Sequence, residues 1–169
     1  MSTSPCSIAI RPRTTADVAD CRAIRLAALQ GAPEAFGSTY AAEAPWPGKR
    51  LPSGWRRRWC WARMTAQASP AWSASRRRPA PGTRRRGLWG GYVALRARGR
   101  GVGRALMDGI VAAATGRVEQ LTLSVVRTNA AALALYAQCG FTAYGLQPRA
   151  LKSAQGYADE VRMVRFLPV

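Results

Sequence analysis

Histidine is absent from all 169 residues, and the four cysteines, Cys6, Cys21, Cys60 and Cys139, are too scattered to form a C-x-x-C pair. Those two gaps remove the usual basis for a zinc site, a disulfide framework or Ser-His-Asp chemistry, and no metal is expected. No apolar run approaches the roughly 18 residues of a membrane span, and the opening MSTSPCSIAIRPRT lacks the apolar core of a secretory signal. A cytoplasmic chain with no membrane partner is the expectation. Acids are scarce: eight Asp and Glu stand against 26 Lys and Arg, a formal charge of +18.

Between Pro45 and Arg86 acids disappear altogether, and eleven Arg and one Lys give this quarter of the chain +12 of that charge. Ile, Val, Phe, Tyr and Asn are missing there too, while five of the six Trp and six of the eleven Pro are present. With no β-branched aliphatics and no period of 2 or 3.6, the segment offers no convincing strand or amphipathic helix, and poor order is expected. Three readings stand. A basic, aromatic-bearing arm could neutralise phosphates and stack bases of a nucleic acid. A solvated, irregular insertion would need no partner. Finally, Arg, Ala, Pro, Ser and Trp are what a GC-rich gene yields when read out of phase.

The flanks have ordinary patterning. Ile8 and Ile10 alternate with smaller neighbours over 7–11, as in a first strand. Thr14 with Asp17 resembles a capping box opening a helix to about Gln30, and Pro33 can start a second helix running to about Ala44. LWGGYVAL (88–95) reads as a buried strand weakened by Gly90 and Gly91. Val102, Leu106 and Ile110 recur every fourth residue in a helix that Gly116 can end. Leu121, Leu123 and Val125 alternate as a half-buried strand, Asn129 caps a helix closed by Gly140, and further strands are expected at 141–146 and 159–167. One domain of ordinary size accommodates the whole of 1–169.

RARGRGVGRAL, residues 96–106, sits where a strand passes into a helix. Such a turn leaves several amide N–H groups without partners at the positive end of the helix dipole. Gly101 and Gly103 carry no side chain to keep a phosphate away, and Arg98, Arg100 and Arg104 add charge around the rim. A pyrophosphate is the natural ligand. At about 0.3–1 kcal/mol per contact, several contacts supply much of the roughly 8 kcal/mol of micromolar binding. The G-x-G-x-x-G pattern of dinucleotide folds fails here, since the sixth residue from Gly99 is Arg104 and from Gly101 is Leu106; the chain also has no G-K-[ST]. What stands is R-x-x-G-x-G, as Arg98, Gly101 and Gly103.

LWGGYV, RGRGVGRALM and LSVVRTNAAALALYAQCGF together resemble the GCN5-related N-acetyltransferase (GNAT) family. The later run matches at Leu123, Val125, Asn129, Ala132, Leu135, Tyr136, Gly140 and Phe141. The likeness covers 6–44 and 87–167 and fails across 45–86. It implies an α/β fold with a mixed, mostly antiparallel central sheet flanked by helices; the second and third strands of that sheet fall in 45–86, which contains no convincing strand, so they are expected to be missing or irregular. It also implies an N-acetyltransferase that moves an acetyl group from acetyl-CoA to a primary amine by direct attack in a ternary complex. By the same resemblance, the pantetheine arm pairs with the strand end at Tyr92 and Val93, and the amides of Gly99, Arg100, Gly101, Val102, Gly103 and Arg104 take the phosphates. Asn129 sits beside the pantetheine, and Tyr136 offers its hydroxyl to the departing sulfur. Read from their residue types alone, Asn129 is a helix cap and Tyr136 a core aromatic. A phenol near pKa 10 giving its proton to a thiolate near 8.5 runs uphill by about 2 kcal/mol, so hydrogen bonding, rather than full transfer, is the expected role of Tyr136.

Two departures from the family stand out. Leu95 occupies a position that is usually proline, and LWGGYV carries no Glu or His to serve as a base. Glu43, Asp159 and Glu160 are the remaining acid candidates, with a water relay the favoured expectation. Without a strong base, an α-amine near 7.7–8.0 is easier to deprotonate than a lysine near 10.4, which points to a small-molecule or N-terminal amine as acceptor. The alternative reading is a nucleic-acid-binding protein, or an impaired enzyme, using the basic 45–86 arm.

Overall fold

The computed structural model describes residues 9–12, 15–45, 59–65, 68–77, 85–153 and 155–168. Seven strands form one sheet in the order β1-β2-β3-β4-β5-β7-β6. They are β1 (Ala9–Pro12), β2 (Trp59–Thr65), β3 (Ala68–Arg77), β4 (Arg85–Val93), β5 (Gln120–Val126), β6 (Thr142–Ser153) and β7 (Gly156–Phe166). Every neighbouring pair is antiparallel except β4 and β5. The helices are α1 (Val18–Gly31), α2 (Tyr40–Glu43), α3 (Val102–Ala114) and α4 (Ala130–Gln138). A parallel joint requires a crossover, and α3 supplies it between β4 and β5.

The sheet is not missing its second and third strands. β2 pairs with β1 and β3 pairs with β4, inside the segment whose composition offered no strand. Backbone pairing on both flanks decides strand placement where local propensity is poor. The strands are irregular, as expected of 45–86: the register slips between Arg63 and Thr65 and again between Trp72 and Ala74.

Other elements shift from expectation. Thr14 lies outside the described residues; Asp17 ends a short 3-10 turn before α1, buried and held by Arg11 through two 2.7 Å hydrogen bonds. The helix expected from Pro33 is broken into a 3-10 turn at Pro33–Ala35 and the single turn of α2, which Thr39 caps through Oγ1 to the Ala42 amide. β6 and β7 form a hairpin far longer than the sequence pattern suggested: beyond Glu160, where the pairing of β7 with β5 ends, the two strands go on pairing with each other to Ser153 and Gly156.

The core joins α3 and α4 to one face of the sheet through Leu88, Met107, Ile110, Leu121, Phe141 and Met163. Leu121 has no exposed surface, and cutting it to alanine is expected to cost about 3 kcal/mol. Consecutive β4 residues show where the other helical layer lies: Val93 packs on Val102 and Leu106 of α3, whereas the Tyr92 hydroxyl lies against Gly31 at the end of α1. No helix among the described residues is long and apolar enough to cross a membrane.

Candidate active site

β4 and β5 run together for only three residue pairs, Arg85 with Gln120, Arg86 with Leu121 and Gly87 with Thr122. Beyond them the strands part, and the cause is local. Trp72 faces Tyr92 while Ala74 faces Trp89, so Gly90 and Gly91 together oppose the single residue Ser73. That is a β-bulge, and Gly90 sits at φ +68, a backbone conformation glycine adopts without strain. The sequence reading took this pair only as a weakness in the strand. Two glycines inside a strand pattern are a bulge signal, and here the bulge bends β4 away from β5.

The gap is an open cleft. Leu88, Gly90 and Gly91 form one wall and Leu123 to Val126 the other; Asn129 and Tyr136 of the α4 segment and Phe36 of the α1–α2 loop also line it. Among the described residues, none that lines it carries a formal charge.

At the C-terminal end of β4 the chain enters the arginine-rich turn. Gly99 and Gly101 sit at φ +71 and +72, and a Cβ at either would touch nothing within 4 Å. Gly101 is the N-cap of α3 and has no side chain with which to cap it. Among the described residues, the amides of Gly99 to Arg104 donate to no backbone carbonyl; the first such bond belongs to Ala105, to the Gly101 carbonyl at 3.0 Å. Arg98, Gly99, Arg100 and Gly101 are exposed, whereas the Val102 side chain is buried beneath them. An exposed bend carrying a row of free N–H donors fits a pyrophosphate on chemistry alone.

The turn differs in detail from expectation. Gly103 serves packing: a Cβ there would come within 3.0 Å of Leu135 on α4. The Nε of Arg98 donates to the Val93 carbonyl at 3.1 Å, with the guanidinium over the Tyr92 ring, so this arginine ties the turn to the strand. Arg104 is engaged by Asp108 at 3.1 Å and by the Gln138 carbonyl at 3.3 Å. Among the described residues, Arg100 is the rim arginine with no partner.

Asn129 caps α4, its Oδ1 accepting the Ala132 amide at 3.1 Å. That bond fixes the orientation of the side-chain amide and leaves the Nδ2 hydrogens to the cleft. Tyr136 is half-buried, edge-on to Phe141 at 6.1 Å, and burial, aided by the nearby Cys139, pushes its phenol above the usual range. It therefore stays protonated and able to donate.

The acid candidates separate cleanly. Burial opposes ionisation of Glu43, but hydrogen bonds from Arg25 and Ser38 and the charges of Arg25 and Arg22 outweigh it and hold the carboxyl below its usual range. Its two-pronged pair with Arg25, at 2.7 and 2.9 Å, leaves it no basic role. Asp159 Oδ1 accepts the Arg149 amide at 2.9 Å and so supports the β6 irregularity, where Arg149 adopts φ +50. Glu160 remains. Burial pushes its carboxyl up, against the lowering influence of Arg162 and of a Ser124 hydrogen bond.

A family model described as acetyltransferase (GNAT) family matches residues 52–141, more than half of the chain, and the chain belongs to that family. It is an acetyl-CoA-dependent N-acetyltransferase. The match runs through residues 52–86, which the resemblance read from the sequence had left out. Solved structures agree with the fold. A GCN5-related N-acetyltransferase from Kribbella flavida is 27% identical, with 97% of this chain and 100% of that one covered and a TM-score of 0.76. The ribosomal-protein-S18-alanine N-acetyltransferase from Escherichia coli is 20% identical, with 96% of each chain covered and a TM-score of 0.72. The yncA protein of Salmonella typhimurium, determined with its cofactor acetyl-CoA, is 18% identical over 96% of this chain and 95% of that one, with a TM-score of 0.78. No curated protein sequence matches the chain.

Proposed function

We propose that the chain, acting as one domain over 1–169 in the cytoplasm, transfers acetyl from acetyl-CoA to the α-amine of a small molecule or a protein N-terminus, by direct attack in a ternary complex. The observations that carry this reading are a cleft at the splayed sheet, lined by no charged residue among the described ones, and a turn past the end of the strand that walls it whose amides, among the described residues, donate to no backbone carbonyl. The amides of Gly99 to Arg104 hold the pyrophosphate, with Arg100 adding charge at the rim. Backbone groups of Tyr92 and Val93 face the pantetheine arm, and Asn129 Nδ2 donates to it. Bound acetyl-CoA supplies an activated acetyl thioester.

Tyr136 donates a hydrogen bond to the sulfur as negative charge gathers there. Its raised pKa makes complete proton transfer more uphill than for a free phenol, which favours hydrogen-bond stabilisation. The cleft, uncharged among the described residues, suits an acceptor without a second charge beside its amine, and the Escherichia coli neighbour is a ribosomal-protein-S18-alanine N-acetyltransferase. The nucleic-acid alternative gains no support, because the family match includes most of the basic segment.

Release of free thiol from acetyl-CoA, measured with alanyl peptides and with lysine peptides blocked at the N-terminus, tests the acceptor. A preference of at least tenfold for the α-amine is expected; a preference for lysine would overturn it.

A further inference from the structure

Deprotonation of the acceptor is the step for which the cleft lining shows no acid among the described residues. One wall does offer a polar hydroxyl, that of Ser124 on β5. Behind it lies β7, in register: Glu160 faces Val126, and Arg162 faces Ser124. Side chains at positions 124 and 126 share a face, so Glu160 stands diagonally across from Ser124 on that same face, within reach for a long side chain. We propose that Ser124 and Glu160 form a two-residue proton relay that draws the proton from the acceptor ammonium in the cleft.

The surroundings of Glu160 single it out. It is half-buried and, among the described residues, in no salt bridge, although a carboxylate in that position ordinarily requires a partner. Arg162, the charged group that acts on it from its own strand, instead donates to Gln147 Oε1 on β6. Gln147 is also the residue opposite Glu160 on that strand, and it is uncharged. From β5 it meets Val126 and Ser124, and the 3-10 turn packed against β5 and β6 carries a single acid, Glu34, which is exposed. A carboxyl pushed up by burial is a better match to an amine near 7.7–8.0 than a solvated one, and the neighbouring Ser124 hydroxyl works against that rise.

The proton balance is simple. An N–H bond of the ammonium breaks as Ser124 Oγ takes that proton, while the serine's own proton passes to a Glu160 oxygen. The nitrogen keeps its electron pair for attack, and Glu160 returns its proton to water afterwards. Ser124 is the residue that touches substrate; Glu160 acts through it.

The inference rests on the proposed docking of the amine in this cleft, and the experiment separates the two. Wild type, Glu160→Gln, Ser124→Ala and the double variant are assayed with an alanyl peptide and with a weakly basic amine that is already neutral at the assay pH. Each single variant is expected to lose about a hundredfold in kcat/KM with the peptide and under tenfold with the weak base. The double variant should be no worse than either single, as for residues acting in one unit. Acetyl-CoA affinity by calorimetry should stay within about twofold. Independently of turnover, the Glu160 carboxyl carbon, assigned in NMR by its loss in Glu160→Gln, should titrate above the ordinary glutamate range and move higher in Ser124→Ala. A wild-type rate for Glu160→Gln, an equal loss with both amines, or an ordinary titration unmoved by Ser124→Ala overturns the relay alone. Absence of thiol release by wild type with every amine overturns the proposed function, and the relay with it.

Discussion

Helices α3 and α4 begin in opposite ways. Asn129 closes the start of α4 with its own side chain, whereas Gly101, in the left-handed region, begins α3 with nothing to offer its first amides. Both starts stand at the edge of the cleft region, and both satisfy backbone geometry. The difference is whether the free donors of a first turn are consumed by the fold or left for a visitor. A helix start with glycine at its cap in place of Asn or Asp is a small loss of stability, about a few tenths of a kcal/mol.

The strongest way to break the contrast is to give α3 an internal anion. Aspartate tolerates positive φ better than most residues, so Gly101→Asp is expected to fold. Its carboxylate would lie beside the amides, and like charges about 4 Å apart near a surface repel by about 4 kcal/mol. Calorimetry should record about a thousandfold weaker acetyl-CoA binding with melting temperature unchanged or slightly raised. Tyr136→Phe probes the far side of the cleft and should lower kcat about a hundredfold while leaving acetyl-CoA affinity within about twofold. Because the folded-state phenol sits above its unfolded value, protonation is favoured by the fold. The stability it contributes is complete below about pH 10 and is lost as pH rises through the folded value, and ultraviolet titration of Tyr136→Phe should lack the latest-ionising tyrosine. The mildest test divides the two duties of Asn129. Asn129→Asp keeps the cap and loses the Nδ2 donors, so the melting temperature should hold while acetyl-CoA affinity falls about tenfold; Asn129→Ala should lose about 1 kcal/mol of stability as well.

Legibility followed the range of the interactions involved. The glycine turn, the Asn129 cap and the β5 alternation are local, with cause and effect separated by at most four residues, and each appears in the structure near where the pattern put it. β2 and β3 were invisible because cross-strand pairing with β1 and β4, and not their own composition, holds them. The length of β6 was hidden because its second half is held only by cross-strand pairing with the start of β7. The side-chain duties were the least readable. Arg98, Arg100 and Arg104 look alike in a string, yet one is tied to Val93, one to Asp108 and Gln138, and one has no partner among the described residues. Asp159 and Glu160 are adjacent, but strand alternation sends one to the β6 backbone and the other toward Ser124.

Consider finally the one extra residue at Gly90–Gly91. Remove it and β4 could zip onto β5 for its full length, converting idle peptide donors and acceptors into rungs of a longer parallel ladder. Such a protein would be sturdier and, on the proposed function, blind to its donor, because the slot proposed for the extended, amide-bearing pantetheine arm would have healed over. The enzyme's capacity to bind is thus a seam that folding leaves unsewn.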